Sequence, residues 1–335
     1  MTHSSLPGYF GPLFAVFLFV LGLCVGSFLN VVIARVPLDQ SIVRPRSRCP
    51  RCGHVLAWYE NIPLLSWLAL RARCRGCGVP ISVRYPLVEL LTGLLFFACL
   101  RRFGWTYELV PALVLVSLLV PLAFIDLDHW ILPLSMTVPG MLAGIALAFP
   151  LGMDAFRDAL MGAAVGFLSF RMMEYVGWKV FQREALGAGD KYLVAMLGAF
   201  LTWRALLGVL LFASMQGAVV GILMLLATGR AGPRTENTQD EPAGDAPPLT
   251  MTWEFTQPGL PLWKRLLLVP VCLLVQPIPD APLDEEGEEE EWVPERTSIP
   301  FGPWLALAGL ELLLLGPWLS RVLPADIAMM LGGLP

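Results

Sequence analysis

Of the 335 residues, 56% are hydrophobic and 15% charged, and the mean hydropathy is +0.66. Soluble domains run at about 45–50% apolar and about 25% charged, which excludes an ordinary soluble enzyme and a disordered chain alike. The net charge of −4 conceals a split, because residues 230–297 hold 14 acids and 5 bases while the rest of the chain is net basic.

A membrane-spanning helix needs about 20 mostly apolar residues. Eight stretches meet that description: about 10–34, 84–101, 107–125, 134–151, 155–180, 186–203, 205–228 and 302–322. The expected fold is all-α, a polytopic membrane protein with about eight transmembrane helices. No Lys or Arg precedes the first stretch, and its apolar run is too long for a signal-peptide core, so it reads as a retained helix.

Residues 35–84 carry nine arginines against Asp39 and Glu60, a bias that holds a loop in the cytoplasm. The N-terminus is then outside. Alternating crossings place 126–133, 179–189 and 229–300 inside and the C-terminus outside. Arg101, Arg102 and Arg204 fall in outside turns, a conflict that the first loop outweighs.

That first loop contains Cys49-Pro-Arg-Cys52 and Cys74-Arg-Gly-Cys77, with 21 residues between the pairs. Two such knuckles form the pattern of a structural zinc ribbon, in which four thiolates complete a closed tetrahedral shell. The loop has little apolar content to bury, so a metal would supply its folding energy. Disulfides are disfavoured in a cytoplasmic loop. His54 is surplus to a four-cysteine shell and is expected beside it or on the surface.

Ionisable groups within or at the edge of apolar spans are expensive and therefore informative. Asp126 and Asp128 lie in Phe124-Ile-Asp-Leu-Asp-His-Trp-Ile-Leu-Pro133, at the inner end of the third span. Asp190 lies in Gly187-Ala-Gly-Asp190, at the inner start of the sixth. Alternation brings both sites to one membrane edge. Two carboxyls facing each other in a poorly solvated place cannot both ionise cheaply; one keeps a proton while the other serves as base on a water. The simpler reading is that these aspartates cap helix N-termini, and it is the stronger one for Asp128. Asn30 is expected to hydrogen-bond between helices, Arg171 to pair with Glu174, and Gly162-x-x-x-Gly166 to form a packing face. Glu89 has no obvious partner, which leaves a place at the site open to it.

Residues 229–299 are rich in Pro, Gly, Thr and acids and include the run Asp284–Glu291, so they are expected to be largely disordered. Within them, Leu266–Val275 is too short to span and is flanked by Trp263, Lys264 and Arg265, which suits an interfacial position.

Gly26-Ser-Phe-Leu-Asn-Val-Val-Ile-Ala-Arg-Val-Pro37, the double C-x-x-C, Ile81-Ser-Val-Arg-Tyr-Pro-Leu-Val-Glu89, the Ile-Asp-Leu-Asp…Leu-Pro segment and Gly-Ala-Gly-Asp follow in one order. Together they resemble the type IV prepilin peptidases, also called leader peptidase/N-methyltransferases. The resemblance covers about residues 10–228 and resumes at Ile299-Pro-Phe-Gly-Pro-Trp-Leu-Ala306, leaving 230–297 as an insertion. It implies an inner-membrane aspartic endopeptidase of the GxGD type that removes the basic leader of prepilins or pseudopilins. It also implies N-methylation of the new terminus from S-adenosylmethionine. The implied catalytic pair is Asp126 and Asp190. The implied zinc ligands are Cys49, Cys52, Cys74 and Cys77.

The chain then divides into a first helix (10–34), a cytoplasmic zinc-binding loop (35–83), a six-helix membrane peptidase core (84–228), the insertion (229–299) and a last helix (300–323). Two departures from the family pattern stand out: Leu134 where an Asp usually follows Leu-Pro, and Lys191-Tyr192 where the Lys usually comes one place later. The implied partners are prepilin or pseudopilin substrates and the lipid bilayer, with no nucleic acid. The competing class is a non-catalytic assembly subunit whose zinc loop docks a partner, or a transporter using the acids for proton coupling.

Overall fold

The structure, a computed structural model, describes residues 10–49, 51–181, 187–228 and 300–322. Its helices are α1 (Phe10–Arg35), α2 (Leu65–Ala69), α3 (Arg84–Phe103), α4 (Leu109–His129), α5 (Leu134–Ala148), α6 (Met153–Phe181), α7 (Asp190–Leu201), α8 (Ala205–Thr228) and α9 (Gly302–Val322). Among the described residues there is no strand, only the isolated bridges Arg48–Val55 and Arg73–Pro80 in the loop between α1 and α3. The insertion, its apolar run Leu266–Val275 and Cys272 lie outside the described residues.

Each of the eight apolar stretches forms a helix, but not all eight are of one kind. Six (α1, α4, α5 with its closing turn, α6, α8 and α9) are long and apolar enough to cross a membrane. The 20-residue α3 has the length but carries Arg84, Glu89, Arg101 and Arg102. The 12-residue α7 rises only about 18 Å, short of a hydrocarbon core of about 30 Å. It is instead the most enclosed element, with Leu193 to Ala199 all buried.

The large apolar residues on the outside, such as Phe17, Leu211 and Leu226 (56%, 56% and 78% exposed), present a surface suited to lipid rather than water. Pro121, Pro139 and Pro317 sit inside α4, α5 and α9, as membrane helices tolerate.

α4 is the pivot of the packing. Ala112, Val116, Val120 and Ile125 join one apolar cluster with α1 and α3. Leu115, Leu119 and Leu122 join another with α6, α7, α8 and α9. Small residues set the closest approaches. A Cβ placed on Gly26 of α1 would lie 2.7 Å from Glu89 Cα in α3, and one on Gly162 of α6 would overlap the Gly198 carbonyl of α7. The Gly162/Gly166 packing face is thus spent on α7.

Side-chain contacts gather one end of the bundle. Asn30 near the end of α1 donates to the Tyr85 carbonyl at the start of α3 (3.1 Å), the interhelical bond expected of it. The end of α4 and the starts of α7 and α9 meet at the same end.

Candidate active site and metal centre

Asp126 and Asp128 stand in the last turn of α4, not at a helix N-terminus. The capping reading therefore fails for Asp128, and Asp126 caps no helix of its own segment. Carboxylates at a helix C-terminus oppose the dipole and need outside partners. Asp126, 5% exposed, finds one across the bundle: its Oδ2 accepts the backbone N–H of Gly302, the first residue of α9, at 2.9 Å. It caps a helix that lies 176 residues away in sequence.

Asp190 is the first residue of α7 and is 6% exposed. The Gly-Ala-Gly segment before it is shaped by contact. A Cβ on Gly189 would come 2.6 Å from Leu132 Cβ, and one on Gly187 would come 3.3 Å from Asp190 Oδ2. Leu132 also sits 3.2 Å from where a Cβ on Gly302 would be. The Leu132-Pro133 turn, the Gly-Ala-Gly segment and the start of α9 thus interlock around two buried acids. α4 touches α7 directly, and Leu132 lies against both Gly189, which precedes Asp190, and Gly302, which meets Asp126.

The neighbouring charges are paired. Asp128 Oδ2 takes Arg84 Nη1 at 2.6 Å. Lys191 Nζ is held by both oxygens of Glu174 on α6 at 3.0 and 3.1 Å. Glu174 also takes the expected bond from Arg171 at 3.1 Å. The displaced lysine therefore ties α7 to α6, while the Tyr192 ring lies 5.5 Å from that of Phe167.

The four loop cysteines converge. One sulfur from each of Cys49, Cys52, Cys74 and Cys77 lies within 4.8 Å of all the others, and the Cys49–Cys77 and Cys52–Cys74 pairs are 3.9 Å apart. A tetrahedral zinc with bonds of about 2.3 Å has sulfur–sulfur edges of about 3.8 Å, so the donor set fits a closed four-thiolate centre.

The two knuckles repeat one local design. Gly53 and Gly78 donate to the carbonyls of Cys49 and Cys74 (2.9 Å each), and each glycine has a positive φ, 72° and 70°, which favours Gly over residues with a Cβ. Cys49 N–H and Cys74 N–H close each knuckle on the carbonyls of His54 and Val79. His54 is no ligand. Its Nε2 meets Glu60 Oε2 at 3.1 Å, and Glu60 also accepts the Ala57 N–H at 2.8 Å. These contacts, the backbone bond first, hold the Glu60 carboxyl below its usual range.

Glu89 does have a partner: its Oε2 accepts the Leu64 N–H of the loop at 2.8 Å. It anchors the loop to α3. Sequence reasoning passed over Glu311 on α9, which takes a bond from Gln216 of α8; an acid inside an apolar span was the available signal.

Comparison with known proteins follows the same division. The Bacterial Peptidase A24 N-terminal domain matches residues 20–103, and the Type IV leader peptidase family matches residues 113–222. A prepilin leader peptidase/N-methyltransferase of Aeromonas hydrophila is 41% identical over 232 residues, covering 62% of this chain and 80% of the relative. The chain belongs to the type IV leader peptidase family. Proteins of the same name from Stutzerimonas stutzeri (41% over 230 residues, 62% and 79% covered) and Neisseria gonorrhoeae (37% over 235 residues, 63% and 82% covered) are similar to it as well. No solved structure matches the chain significantly.

Proposed function

We propose that this chain is a membrane aspartic endopeptidase that removes the basic leader of type IV prepilins or pseudopilins and then N-methylates the new N-terminus. The observation that carries the reading is the placement of two enclosed carboxylates, Asp126 and Asp190, around Leu132 at one end of the bundle in a chain of this family. Relatives about 40% identical are named for both activities.

In this reading Asp126 and Asp190 are the catalytic pair and share one proton. The ionised carboxylate takes a proton from water as the water oxygen bonds to the scissile carbonyl carbon. The protonated partner supports the developing oxyanion. Collapse then breaks the C–N bond, and the leaving amine takes up a proton. No covalent intermediate is required.

The bundle end that carries the pair faces the cytoplasm of a bacterial inner membrane, with both chain termini outside. A substrate whose basic leader stays inside brings its cleavage site to that edge. Cys49, Cys52, Cys74 and Cys77 hold a structural zinc that folds the loop 35–83. S-adenosylmethionine is the methyl donor. Residues 84–228 and the last helix form the membrane core, and 229–299 is a cytoplasmic tether.

Incubating the purified full chain with a prepilin, with and without S-adenosylmethionine, tests this. Mass spectrometry should find the leader removed in both samples and the mature chain one methyl group heavier only in the second. An intact substrate in both would overturn the reading.

A further inference from the structure

We propose that Arg84 is a positioning residue for the cleavage step, a role that rests on the assignment of Asp126 above. Arg84 opens α3, directly after the cysteine loop. Its Nη1 lies 2.6 Å from Asp128 Oδ2, its Nη2 donates to the Phe124 carbonyl at 3.3 Å, and its guanidinium lies 4.9 Å from the Phe124 ring centre. Phe124 and Asp128 stand two residues before and two after Asp126, so one side chain brackets the turn that carries the carboxylate.

The physical need for such a clamp is local. That turn is the free C-terminal end of α4, and two carboxylates two residues apart crowd its negative pole. A cation at this place opposes fraying. A guanidinium offers separate nitrogens on a fixed fork, so Nη1 and Nη2 each hold one of these acceptors, where an ammonium would have to bring both to a single nitrogen.

The other end of the clamp is equally fixed. In the first turns of α3, the Tyr85 carbonyl accepts Asn30 of α1 at 3.1 Å, and Glu89 Oε2 accepts the Leu64 N–H at 2.8 Å. Leu64 itself has φ 58°, a conformation that a leucine holds only when its surroundings enforce it. The start of α3 is therefore the junction at which α1, the cysteine loop and the catalytic turn are tied. Arg84 passes the position of the first two to the third. It touches neither substrate nor reacting atoms; its effect runs through Asp126.

The test is steady-state cleavage of a prepilin by the purified full chain, comparing wild type, Arg84→Ala and Arg84→Lys, with Asp126→Asn and Asp190→Asn alongside. Misplacing a catalytic group by an ångström costs on the order of 100-fold. Arg84→Ala is accordingly expected to lower kcat by about 10- to 100-fold with KM little changed. Arg84→Lys, which keeps the ion pair and loses the second acceptor, recovers part of the loss. A purely structural role would reduce the amount of folded protein without changing kcat per folded chain.

Wild-type kcat in Arg84→Ala, or a change confined to KM, overturns the proposal. If Arg84→Ala does not fold, Arg84→Lys decides: a kcat below wild type at unchanged KM supports the role, and a wild-type kcat overturns it. Cleavage surviving in Asp126→Asn or Asp190→Asn would instead overturn the active-site assignment, whatever Arg84 does.

Discussion

The backbone N–H of Gly302 donates to Asp126 Oδ2 at 2.9 Å, joining the last helix to the end of the fourth across the insertion. This contact sets the start of α9 against the carboxylate proposed to be catalytic. It also gives Gly302 a steric role, since a Cβ there would fall 2.5 Å from Asp126 Oδ2 and 3.2 Å from Leu132 Cδ2. The first distance is a clash with the carboxylate itself.

Gly302→Ala is therefore expected to insert and fold but to lose about 10- to 100-fold in cleavage rate, because Asp126 must move. Gly11→Ala, where an added Cβ meets nothing within 4 Å, serves as the control and should cleave as wild type does. Equal rates for the two variants, measured per folded chain, would show that the contact does not place Asp126.

The elements were legible in the sequence and the pairings were not. Hydropathy marked every helix except the five-residue α2 in the loop, and two C-x-x-C pairs with 21 residues between them named all four cysteines that converge. The capping reading failed for Asp128, and for Asp126 it held only across the bundle at α9, because the apolar run stops at Ile125 while the helix continues to His129. The usual stop signal is a glycine in the left-handed conformation; here Trp130 adopts it, with φ 58°. Contacts such as Gly302–Asp126 and Arg84–Asp128 join distant segments, and no period or spacing announces them. The short length of α7 was hidden for a related reason. Its apolar composition comes from burial among helices, which the sequence does not distinguish from burial in lipid.

The metal centre makes a prediction about protons. Backbone N–H groups at Cys52 and Arg51 hold the Cys49 thiol down to about 6. At Cys52 a backbone bond at His54 pulls the same way, but burial and the neighbouring sulfurs outweigh it and push the thiol up to about 11. In the metal-free loop Cys52 is thus protonated at neutral pH and must lose its proton to bind zinc. Metal binding then releases protons, and apparent zinc affinity should rise with pH between about 6 and 8. Competition titration with a chromophoric chelator measures this. Affinity independent of pH would contradict a centre that includes Cys52.

Wild type should carry one zinc per chain, lost when Cys49, Cys52, Cys74 or Cys77 becomes Ser. Cys24, on the outer face of α1, should be replaceable by Ser without loss of metal, as should Cys99 by Ala within its apolar cluster. Elemental analysis of the purified variants checks both statements, and zinc-free wild type would refute the site.

Deleting residues 232–294 should leave cleavage intact at high salt, since the residues from Gly302 onward that reach Asp126 are kept. If the acidic stretch steers basic leaders, the deletion lowers the rate only at low salt, where charges act over longer distances. Loss of cleavage at every salt concentration, in correctly inserted protein, would make the insertion part of the catalytic machinery.

Asp126 and Asp190 are proposed to perform the cleavage together, and one measurement addresses this directly. Leader removal from a prepilin is followed with purified wild type, Asp126→Asn, Asp190→Asn and Asp128→Asn, each checked for fold and zinc content. Asparagine keeps the shape of each side chain but can neither act as base nor hold the shared proton. Asp126→Asn and Asp190→Asn are expected to show no detectable cleavage, and Asp128→Asn, whose amide oxygen can still accept from Arg84, substantial cleavage. Cleavage by either of the first two, or its loss in Asp128→Asn while Asp126→Asn remains active, would contradict it.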